Sequence, residues 1–333
     1  MRLKAMRTDV TSHTAPEMGS PHLIGVDGGG SKTLALVATL EGQIIGRALA
    51  GPSNYHAVGL EAATTALESA IRAALEAAGE EHASAPTGAL CLGLAGMGRP
   101  EDRATIEAWA VETFPESPVT VVTDAQLVLA AGTPEGWGIA LISGTGSLAY
   151  GEDPAGHSAR AGGWGTLLGD EGSGYAIGLA ALRAVARAAD GRGPQTALTS
   201  SVLAHWGLSQ PQNLVQYVYQ RDTGRAEIAA LAPLVEAAGE DACACAITRQ
   251  AGQELALAIK AVAQQIFPRE YFGLVKPIPC ALAGSVLVQG RRVTAALLEA
   301  AAEMDLTLDP LTLVAEPALG ALKLARDALE TRP

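Results

Sequence analysis

The feature that most constrains the fold of this chain is a repeated pattern of strand, small-residue loop and strand. Residues 23–49 read LIGVDGGGSKTLALVATLEGQIIGRAL, and residues 138–164 read GIALISGTGSLAYGEDPAGHSARAGGW. In each segment an apolar run leads into a loop of glycine and hydroxyl residues, and two further β-prone runs follow with a turn between them. The pair predicts a duplicated domain, with a cleft between the two copies.

Both loops have the composition of phosphate-binding loops, because glycine lets main-chain N–H groups approach a ligand closely. The residue order fits neither of the common phosphate motifs. Ser31 stands where a Walker A loop requires lysine, and Thr33 occupies the third glycine position of a dinucleotide-binding fingerprint. Both motifs also need a helix directly after the loop, whereas the β-prone run TLALVATL follows here. A tight turn without a ligand is the alternative for one loop alone, and the matching pair favours phosphate binding.

Composition limits the classes of function. With 333 residues, 48% of them hydrophobic, the chain is long and apolar enough for two domains with sizeable cores. The net charge is −12 and no basic run occurs, so we expect no nucleic-acid partner. No apolar run approaches the roughly 20 residues of a membrane span, and residues 1–21 lack the apolar core of a signal peptide. These features predict a disordered N-terminal tail and a cytoplasmic protein with no membrane partner.

The four cysteines, Cys91, Cys243, Cys245 and Cys280, contain no CxxC pair and no zinc set, so we interpret them as buried thiols. Outside the two repeated segments, strands and helices alternate along the chain, which predicts an α/β fold. The predicted elements are a helix at 59–80, a buried strand within 88–98 that runs into a glycine-rich loop, a strand and helix at 117–134, mainly helices up to about residue 265, a strand within 278–290 that leads to Gly284 and Ser285, and a helix at 316–329.

Five segments carry a resemblance to a known family: DGGGSKT, TDAQ, LISGTGS, GGWGTLLGDEGSGY and LAGSVL. They occur in the order found in N-acetylglucosamine kinases of the actin-like sugar-kinase superfamily, a group that also includes the BadF-type activator ATPases. The resemblance implies an α/β, two-domain actin-like ATPase (ribonuclease H-like) fold, with duplicated βββαβαβα domains around a nucleotide cleft. The implied segments are a tail at 1–21, an N-terminal domain at 22–125, a C-terminal domain with a helical insertion at 126–312, and a C-terminal helix at 313–333 that packs near the domain interface.

The resemblance implies ATP and Mg²⁺ as cofactors. The implied ATP-binding residues are Gly29, Gly30, Ser31 and Lys32 in the first loop, Gly144, Thr145 and Gly146 in the second, and Gly284 and Ser285 near the nucleoside. Asp27, at the end of the first strand, would hold Mg²⁺ through water, since this ion keeps much of its hydration. The alternative for Asp27 is a local cap of the glycine turn.

Asp124 is the candidate catalytic base, which would take the proton of a sugar hydroxyl. The residues that the resemblance implies for binding an amino sugar are Asn54, Asp124, Ser147, Leu148, Gly163, Trp164, Gly165 and Asp170. The alternative for Asp124 is a helix N-cap, because Asp before AQLVLAA is a good helix start. The alternative for Trp164 is core filling. Ala95 in GLAGMG stands where a small hydroxyl residue is expected in the animal enzymes, which leaves free glucosamine open as a substrate.

The implied function is ATP-dependent phosphorylation of the 6-hydroxyl of N-acetylglucosamine. Because family members are often dimers, the resemblance also predicts a homodimer. Glucosamine or another hexosamine is the alternative substrate. A BadF-type activator ATPase is the alternative of another class, but it needs an Fe–S cluster held by cysteines at a dimer axis, for which Cys243 and Cys245 are too close together. A sugar-sensing repressor would need an N-terminal DNA-binding helix pair, for which residues 1–22 are too short and too rich in Pro and Thr.

Overall fold

The computed structural model of the protein describes residues 21–79, 87–115, 117–219, 223–272 and 276–330. The tail predicted at residues 1–21 lies outside the described residues except for its last position. Within the described part of the chain, ten strands form two five-stranded sheets with helices packed on them. The predicted α/β class is confirmed.

The first sheet contains β1 (His22–Gly28), β2 (Thr33–Thr39), β3 (Ile44–Ala50), β4 (Thr87–Leu94) and β5 (Val119–Thr123). Its strand order is β3-β2-β1-β4-β5. The first three strands pair antiparallel, whereas β4 lies parallel to β1 and β5 lies parallel to β4. β1 and β2 are buried along nearly their whole length, as expected for central strands covered on both faces.

The second sheet contains β6 (Gly138–Ser143), β7 (Ser147–Glu152), β8 (Ser158–Gly162), β9 (Ile278–Ala283) and β10 (Leu308–Val314). Its order is β10-β9-β6-β7-β8, which is the order of the first sheet with β6 in the place of β1. The pairings also repeat, because β6, β7 and β8 are antiparallel neighbours and β9 and β10 add in parallel. The duplication predicted from the two hairpin segments is therefore confirmed.

The helices are α1 (Tyr55–Val58), α2 (Leu60–Ala78), α3 (Pro100–Thr113), α4 (Asp124–Gly132), α5 (Gly174–Ala189), α6 (Leu198–His205), α7 (Asn213–Val218), α8 (Arg225–Ala229), α9 (Ala232–Ala237), α10 (Ala242–Ile266), a short 3₁₀ helix (Arg269–Tyr271), α11 (Ser285–Gln289), α12 (Arg291–Glu303) and α13 (Ala318–Glu330). The helices between β8 and β9 form, with the second sheet, the largest apolar core. Among the described residues, no helix has the length and apolar character needed to cross a membrane.

Two helices connect the sheets. On α4, Leu127 packs with the first sheet, and Leu129 packs with the second. Helix α13 packs on β1 and meets α4 at Gly320, where a Cβ atom would lie 2.0 Å from the carbonyl oxygen of Leu127. Lys323 on α13 donates from Nζ to the carbonyl oxygen of Ala130 at 3.2 Å, near the end of α4. The predicted boundary between residues 125 and 126 falls inside α4.

The direction of the strands places the candidate residues. Because β1, β4 and β5 run parallel, their carboxyl ends share one edge of the first sheet. Asp27, Ala95 and Asp124 lie at this edge, and the Ala95 N–H donates to the last carbonyl of β1 at 2.8 Å. At the corresponding edge of the second sheet, β6 and β9 end beside each other, so that a Cβ atom on Gly144 would lie 4.0 Å from Cα of Gly284.

Candidate active site at the strand ends

The first glycine loop is anchored on one side and open on the other. The Gly29 N–H donates to the carbonyl oxygen of Lys32 at 2.9 Å, and the Gly29 carbonyl accepts from the N–H groups of Ser53 and Asn54 at 3.0 and 3.2 Å. In contrast, Gly30 has no heavy atom within 4 Å of its Cβ position, and Ser31 and Lys32 are exposed. The loop therefore has a fixed backbone whose exposed turn is free to contact a ligand.

Two carboxylates lie close together at this edge. Burial, and then the charge of Asp124, raise the pKa of Asp27 from 3.8 to about 6, and Lys32 opposes the shift. Burial also raises the pKa of Asp124, against the hydrogen bond from the Ala125 N–H and the positive charge of Arg160. Neither carboxylate is neutralised by a close ion pair within the described residues, so this edge favours a cation as ligand.

Asp124 is not the N-cap of α4. The cap is Thr123, whose Oγ1 accepts from the Gln126 N–H at 3.3 Å, while Oε1 of Gln126 accepts from the Thr123 N–H at 3.0 Å. This is a reciprocal capping box. Asp124 is the first helical residue, and its Oδ1 accepts from the Ala125 N–H at 2.9 Å. The capping alternative for Asp124 is therefore wrong.

The second glycine loop is braced by the segment that precedes α5. The Gly144 carbonyl accepts from the Gly174 N–H at 2.7 Å, and the hydroxyl of Ser147 donates to the Glu171 carbonyl at 2.7 Å. Asp170 adds a third brace, because its Oδ1 accepts from the Ser147 N–H at 3.3 Å. The structure thus places Ser147 and Asp170 against each other beneath the loop, with Gly146 directly above the Asp170 carboxylate.

A cavity of about 670 Å³ opens beside the second loop. Gly144, Thr145, Gly174 and Ser285 are among its lining residues. Most of the remaining lining is apolar and comes from α5, α8, α9 and α11, with polar groups from Glu236, Thr248, Gln289, Arg291 and Arg292. A concave, mainly apolar cavity of this size with a few polar groups is typical of a site for a nucleoside-sized ligand.

The turn after β9 requires glycine. Gly284 has a φ of +89°, and a Cβ atom there would lie 2.2 Å from the carbonyl oxygen of Ser143. The backbones therefore approach each other closely where β6 and β9 end, and Ser285, the next residue, lines the same cavity as Thr145.

Asn54 forms part of a polar wall on the first sheet's side. Its Oδ1 is buried and has no hydrogen-bond partner among the described residues. A Cβ atom on Gly96 would lie 3.1 Å from this oxygen and 3.1 Å from the His56 ring. Nε2 of His56 lies 3.1 Å from Oδ2 of Asp102, and its ring packs against the Tyr55 ring with a centroid distance of 4.3 Å, which gives His56 a structural role. The unpartnered Asn54 oxygen indicates a place where a ligand donor could bind.

Arg160 on β8 links this wall to the segment that contains Trp164. Its guanidinium donates to the carbonyl oxygens of Gly163 at 2.7 Å and Gly162 at 3.4 Å. Its Nη1 lies 2.9 Å from the Cβ position of Gly98 in the loop after β4. Together with its charge interaction with Asp124, these contacts place Arg160 between the two sheets. The sequence motifs did not single out Arg160, although it directly precedes the AGGW segment.

Trp164 is 72% exposed, so the core-filling alternative for this residue is wrong. Gly163 and Gly165 flank it with positive φ angles. Leu148 lines a smaller cavity of about 210 Å³ with Ser147, Gly162 and Glu171.

The prediction that the cysteines are buried thiols is correct for two of the four. All four are free thiols. Cys91 and Cys280 are buried, whereas Cys243 and Cys245 on α10 are only partly buried.

Two repeated sheets with glycine loops at matching strand ends define an actin-like ATPase fold. The chain belongs to the BadF/BadG/BcrA/BcrD ATPase family, whose model matches residues 24–325.

Relatives of the chain have names that refer to amino-sugar phosphorylation. The N-acetylmuramic acid/N-acetylglucosamine kinase of Clostridium acetobutylicum is 38% identical over 247 residues, which are 73% of this chain and 79% of that protein. The N-acetyl-D-glucosamine kinase of Dictyostelium discoideum is 36% identical over 213 residues, which are 62% of this chain and 67% of that protein. The glucosamine kinase GspK of Vibrio cholerae is 30% identical over 185 residues, which are 56% of this chain and 61% of that protein.

Solved structures share the fold. A Chromobacterium violaceum protein assigned as an N-acetylglucosamine kinase has a TM-score of 0.68 and 29% identity, and the match covers 92% of this chain and 99% of that one. A ROK family glucokinase from Streptomyces griseus, in complex with glucose and AMPPNP, has a TM-score of 0.54 and 18% identity with the same coverage. The second similarity concerns the fold alone.

Proposed function

We propose that the protein is an ATP-dependent sugar kinase that transfers the γ-phosphoryl group of Mg-ATP to the 6-hydroxyl of N-acetylglucosamine. The observation that carries the proposal is the position of Asp124. This carboxylate lies at the strand-end edge beside Asp27 and interacts electrostatically with Arg160, which holds the Gly162 and Gly163 carbonyls from the opposite sheet. The names of the relatives support the choice of substrate.

The nucleotide would be divided between the two loops. In the proposal, the 670 Å³ cavity holds the nucleoside, beside Gly284 and Ser285. The N–H groups of residues 144–146 contact the phosphates from the second sheet, and Gly29, Gly30, Ser31 and Lys32 contact them from the first. Fixed backbone donors suit this role, because phosphoryl transfer depends mainly on positioning and charge stabilisation.

The residues at the edge of the first sheet fit Mg²⁺ that arrives with ATP. Asp27 and Asp124 repel each other when both are ionised, and a divalent cation would relieve that repulsion. Among the described residues, no group of three or more His, Cys, Asp or Glu side chains could hold a metal on its own. A kinase needs only one or two carboxylates, because the phosphates and water supply the other ligands. When bound, the ion would neutralise charge on the transferring phosphoryl group.

Asp124 would act as the general base. As the 6-hydroxyl oxygen bonds to the γ-phosphorus and the bond to the β-phosphate oxygen breaks, the hydroxyl proton passes to the Asp124 carboxylate. The Ala125 N–H fixes Oδ1 of Asp124, which leaves the other oxygen for the sugar. The raised pKa of Asp124 makes it a stronger base than an exposed carboxylate.

Two side chains at the site are suited to contact the sugar. Asn54 has a buried oxygen without a hydrogen-bond partner among the described residues, and Trp164 has an exposed ring. The other residues proposed to contact the sugar are Ser147, Leu148, Gly163, Gly165 and Asp170.

A second candidate substrate is N-acetylmuramic acid, which carries a carboxylate. The specific observation is Arg160, because Nη1 of its guanidinium makes no hydrogen bond to the described residues and faces the loop at Gly98. The Clostridium acetobutylicum relative is named for both sugars. Free glucosamine is the remaining alternative, on the basis of Ala95.

The activator-ATPase alternative finds little support in the cysteines. Cys243 and Cys245 lie two positions apart on α10, and such residues point away from each other on a helix.

We also propose a homodimer, which light scattering of the purified protein would test.

The experiment is coupled ADP release with N-acetylglucosamine, N-acetylmuramic acid, glucosamine and glucose, for the native protein and for Asp124→Asn. We expect turnover with N-acetylglucosamine that exceeds turnover with glucose. For Asp124→Asn we expect a decrease of about 10²-fold or more in kcat, the scale for loss of a general base, while ATP binding persists. Gln126→Ala is a control at the same helix start. Near-native turnover of Asp124→Asn would contradict the assignment of the base.

A further inference from the structure

Arg225 forms an unusual ion pair next to the second glycine loop. Its Nη2 lies 3.5 Å from Oδ2 of Asp170, whose side chain is only 5% exposed, whereas the side chain of Arg225 is 57% exposed. The same Asp170 oxygen is buried and accepts no hydrogen bond from the described residues. A buried carboxylate oxygen and an exposed guanidinium therefore face each other without a close hydrogen bond.

At this distance the Asp170 carboxylate attracts the guanidinium electrostatically but does not occupy its N–H donors with a close hydrogen bond. Hydrogen-bonded Arg–carboxylate pairs have N–O distances of about 2.7–2.9 Å. The Asp170 side chain is fixed, because its Oδ1 accepts from the Ser147 N–H and its backbone has a φ of +61°. Arg225, on the exposed side, keeps its N–H donors available and is able to move by the rotation of its side chain.

Arg225 lies where the loop meets the cavity. The next residue, Ala226, lines the 670 Å³ cavity together with Gly144 and Thr145. Oδ2 of Asp170 lies 3.0 Å from the Cβ position of Gly146. Arg225 is thus near the loop proposed to bind phosphates on one side, and near the space proposed for the nucleoside on the other.

The negative charges of the site and of a nucleotide favour a positively charged side chain near the second loop. The candidate site contains Asp27, Asp124 and Asp170, and the chain has a net charge of −12. A nucleoside triphosphate adds several negative charges. Lys32 supplies one positive charge from the first loop, Arg160 faces Asp124, and Arg291 and Arg292 line the cavity away from residues 144–146 in the chain. Arg225 supplies one from the side of the second loop, and its planar guanidinium suits two-point binding of phosphate oxygens.

We propose that Arg225 binds the polyphosphate chain of the nucleotide, and that Asp170 orients its guanidinium toward the second loop. This inference rests on the proposed function, because it assumes that the cavity holds a nucleotide. It adds a residue that no sequence motif indicated, and it assigns Asp170 a role in positioning Arg225 in addition to bracing the loop and to the sugar contact proposed above.

The test is calorimetric titration of ATP, ADP and adenosine into the native protein, Arg225→Met and Arg225→Lys. We expect Arg225→Met to weaken ATP binding by about 10-fold or more, the scale for one charge-assisted hydrogen bond, and to leave adenosine binding within about twofold. Arg225→Lys restores part of the loss. Arg192→Met is the matched control, since Arg192 is an exposed arginine paired with the exposed Asp190; we expect native ATP affinity for it.

Two results would overturn the inference. The first is native ATP affinity in Arg225→Met. The second is an equal loss for ATP and adenosine, which would mean that the substitution disturbs the cavity rather than a phosphate contact. The thermal midpoint of each variant shows whether the fold is intact. If the native protein bound neither ATP nor ADP, the proposed function would fail as well, whereas native ATP binding without an effect of Arg225 would leave that function in place.

Discussion

Replacing Asp27 by Asn should make the metal-free, nucleotide-free protein more stable at neutral pH while it lowers activity. The folded protein raises the pKa of Asp27 from 3.8 to about 6, mainly through burial and secondly through the charge of Asp124. A raised pKa in an acid means that the folded state favours the protonated form. The ionised carboxylate therefore costs stability, and this cost is absent below pH 3.8 and complete above about pH 6.

The size of the effect follows from the shift. About two pKa units, at 1.36 kcal/mol per unit, give at most about 3 kcal/mol. Asn keeps the shape of the side chain and has no charge, so it removes the cost. We expect Asp27→Asn to raise the free energy of unfolding by up to about 3 kcal/mol at pH 8, and by about half as much at pH 5.

The assay is urea unfolding in the presence of EDTA at pH 5 and pH 8, followed by turnover with Mg-ATP. Asp190→Asn is the control, because this exposed carboxylate pairs with Arg192 at the surface and such pairs contribute less than about 1 kcal/mol. The variant should also need more Mg²⁺ for half-maximal turnover. If Asp27→Asn is less stable than the native protein at pH 8, Asp27 caps the glycine turn, and its assignment as a buried carboxylate that binds a cation is wrong.

Substitutions of Arg160, Trp164 and Gly284 test other parts of the site. Arg160→Met should lower kcat/KM for N-acetylmuramic acid about 10-fold more than for N-acetylglucosamine, since one charge-assisted contact to the carboxylate is lost; equal losses would exclude a role in selectivity. Trp164→Ala should raise the KM for the sugar without lowering the thermal midpoint, because the ring is 72% exposed; a large drop in the midpoint would indicate a packing role. Gly284→Ala should destabilise the protein by about 2–6 kcal/mol in urea unfolding, because its φ of +89° and the overpacking of a Cβ atom 2.2 Å from the Ser143 carbonyl oxygen each cost about 1–3 kcal/mol; native stability would show that the turn tolerates a side chain.

Local signals were sufficient to predict most of the fold. The hairpins around residues 28–33 and 143–147 and the strand–helix junction at Asp124 follow from apolar runs and turn residues that are neighbours in the chain. β10 was not predicted as a strand, because Pro310 interrupts its pattern. Proline is tolerated in edge strands, and β10 is the edge strand of its sheet.

The site was harder to predict where partners are distant in the chain. Arg225 and Asp170 are brought together only by the packing of α8 against the segment before α5, and Arg160 meets Gly98 only because the two sheets face each other. Glu316 pairs with Arg47 at 2.6 Å, although the two residues are 269 positions apart in the chain, and Glu316 also adds to the negative charge near Asp27. The residues next to an isolated arginine in the sequence do not indicate which distant residue it will contact. Thr123 was missed as the helix cap because Asp124, the next residue, is an equally good capping type.

The identity of the product tests the proposed kinase reaction most directly. The protein is incubated with Mg-ATP and N-acetylglucosamine, and the mixture is analysed by correlated ³¹P and ¹H NMR. We expect one ADP for each phosphomonoester formed, with the new phosphorus coupled to the two protons on C6 of the sugar. ATP hydrolysis to free phosphate with unchanged sugar, or a phosphoester at another carbon, would contradict phosphoryl transfer to the 6-hydroxyl.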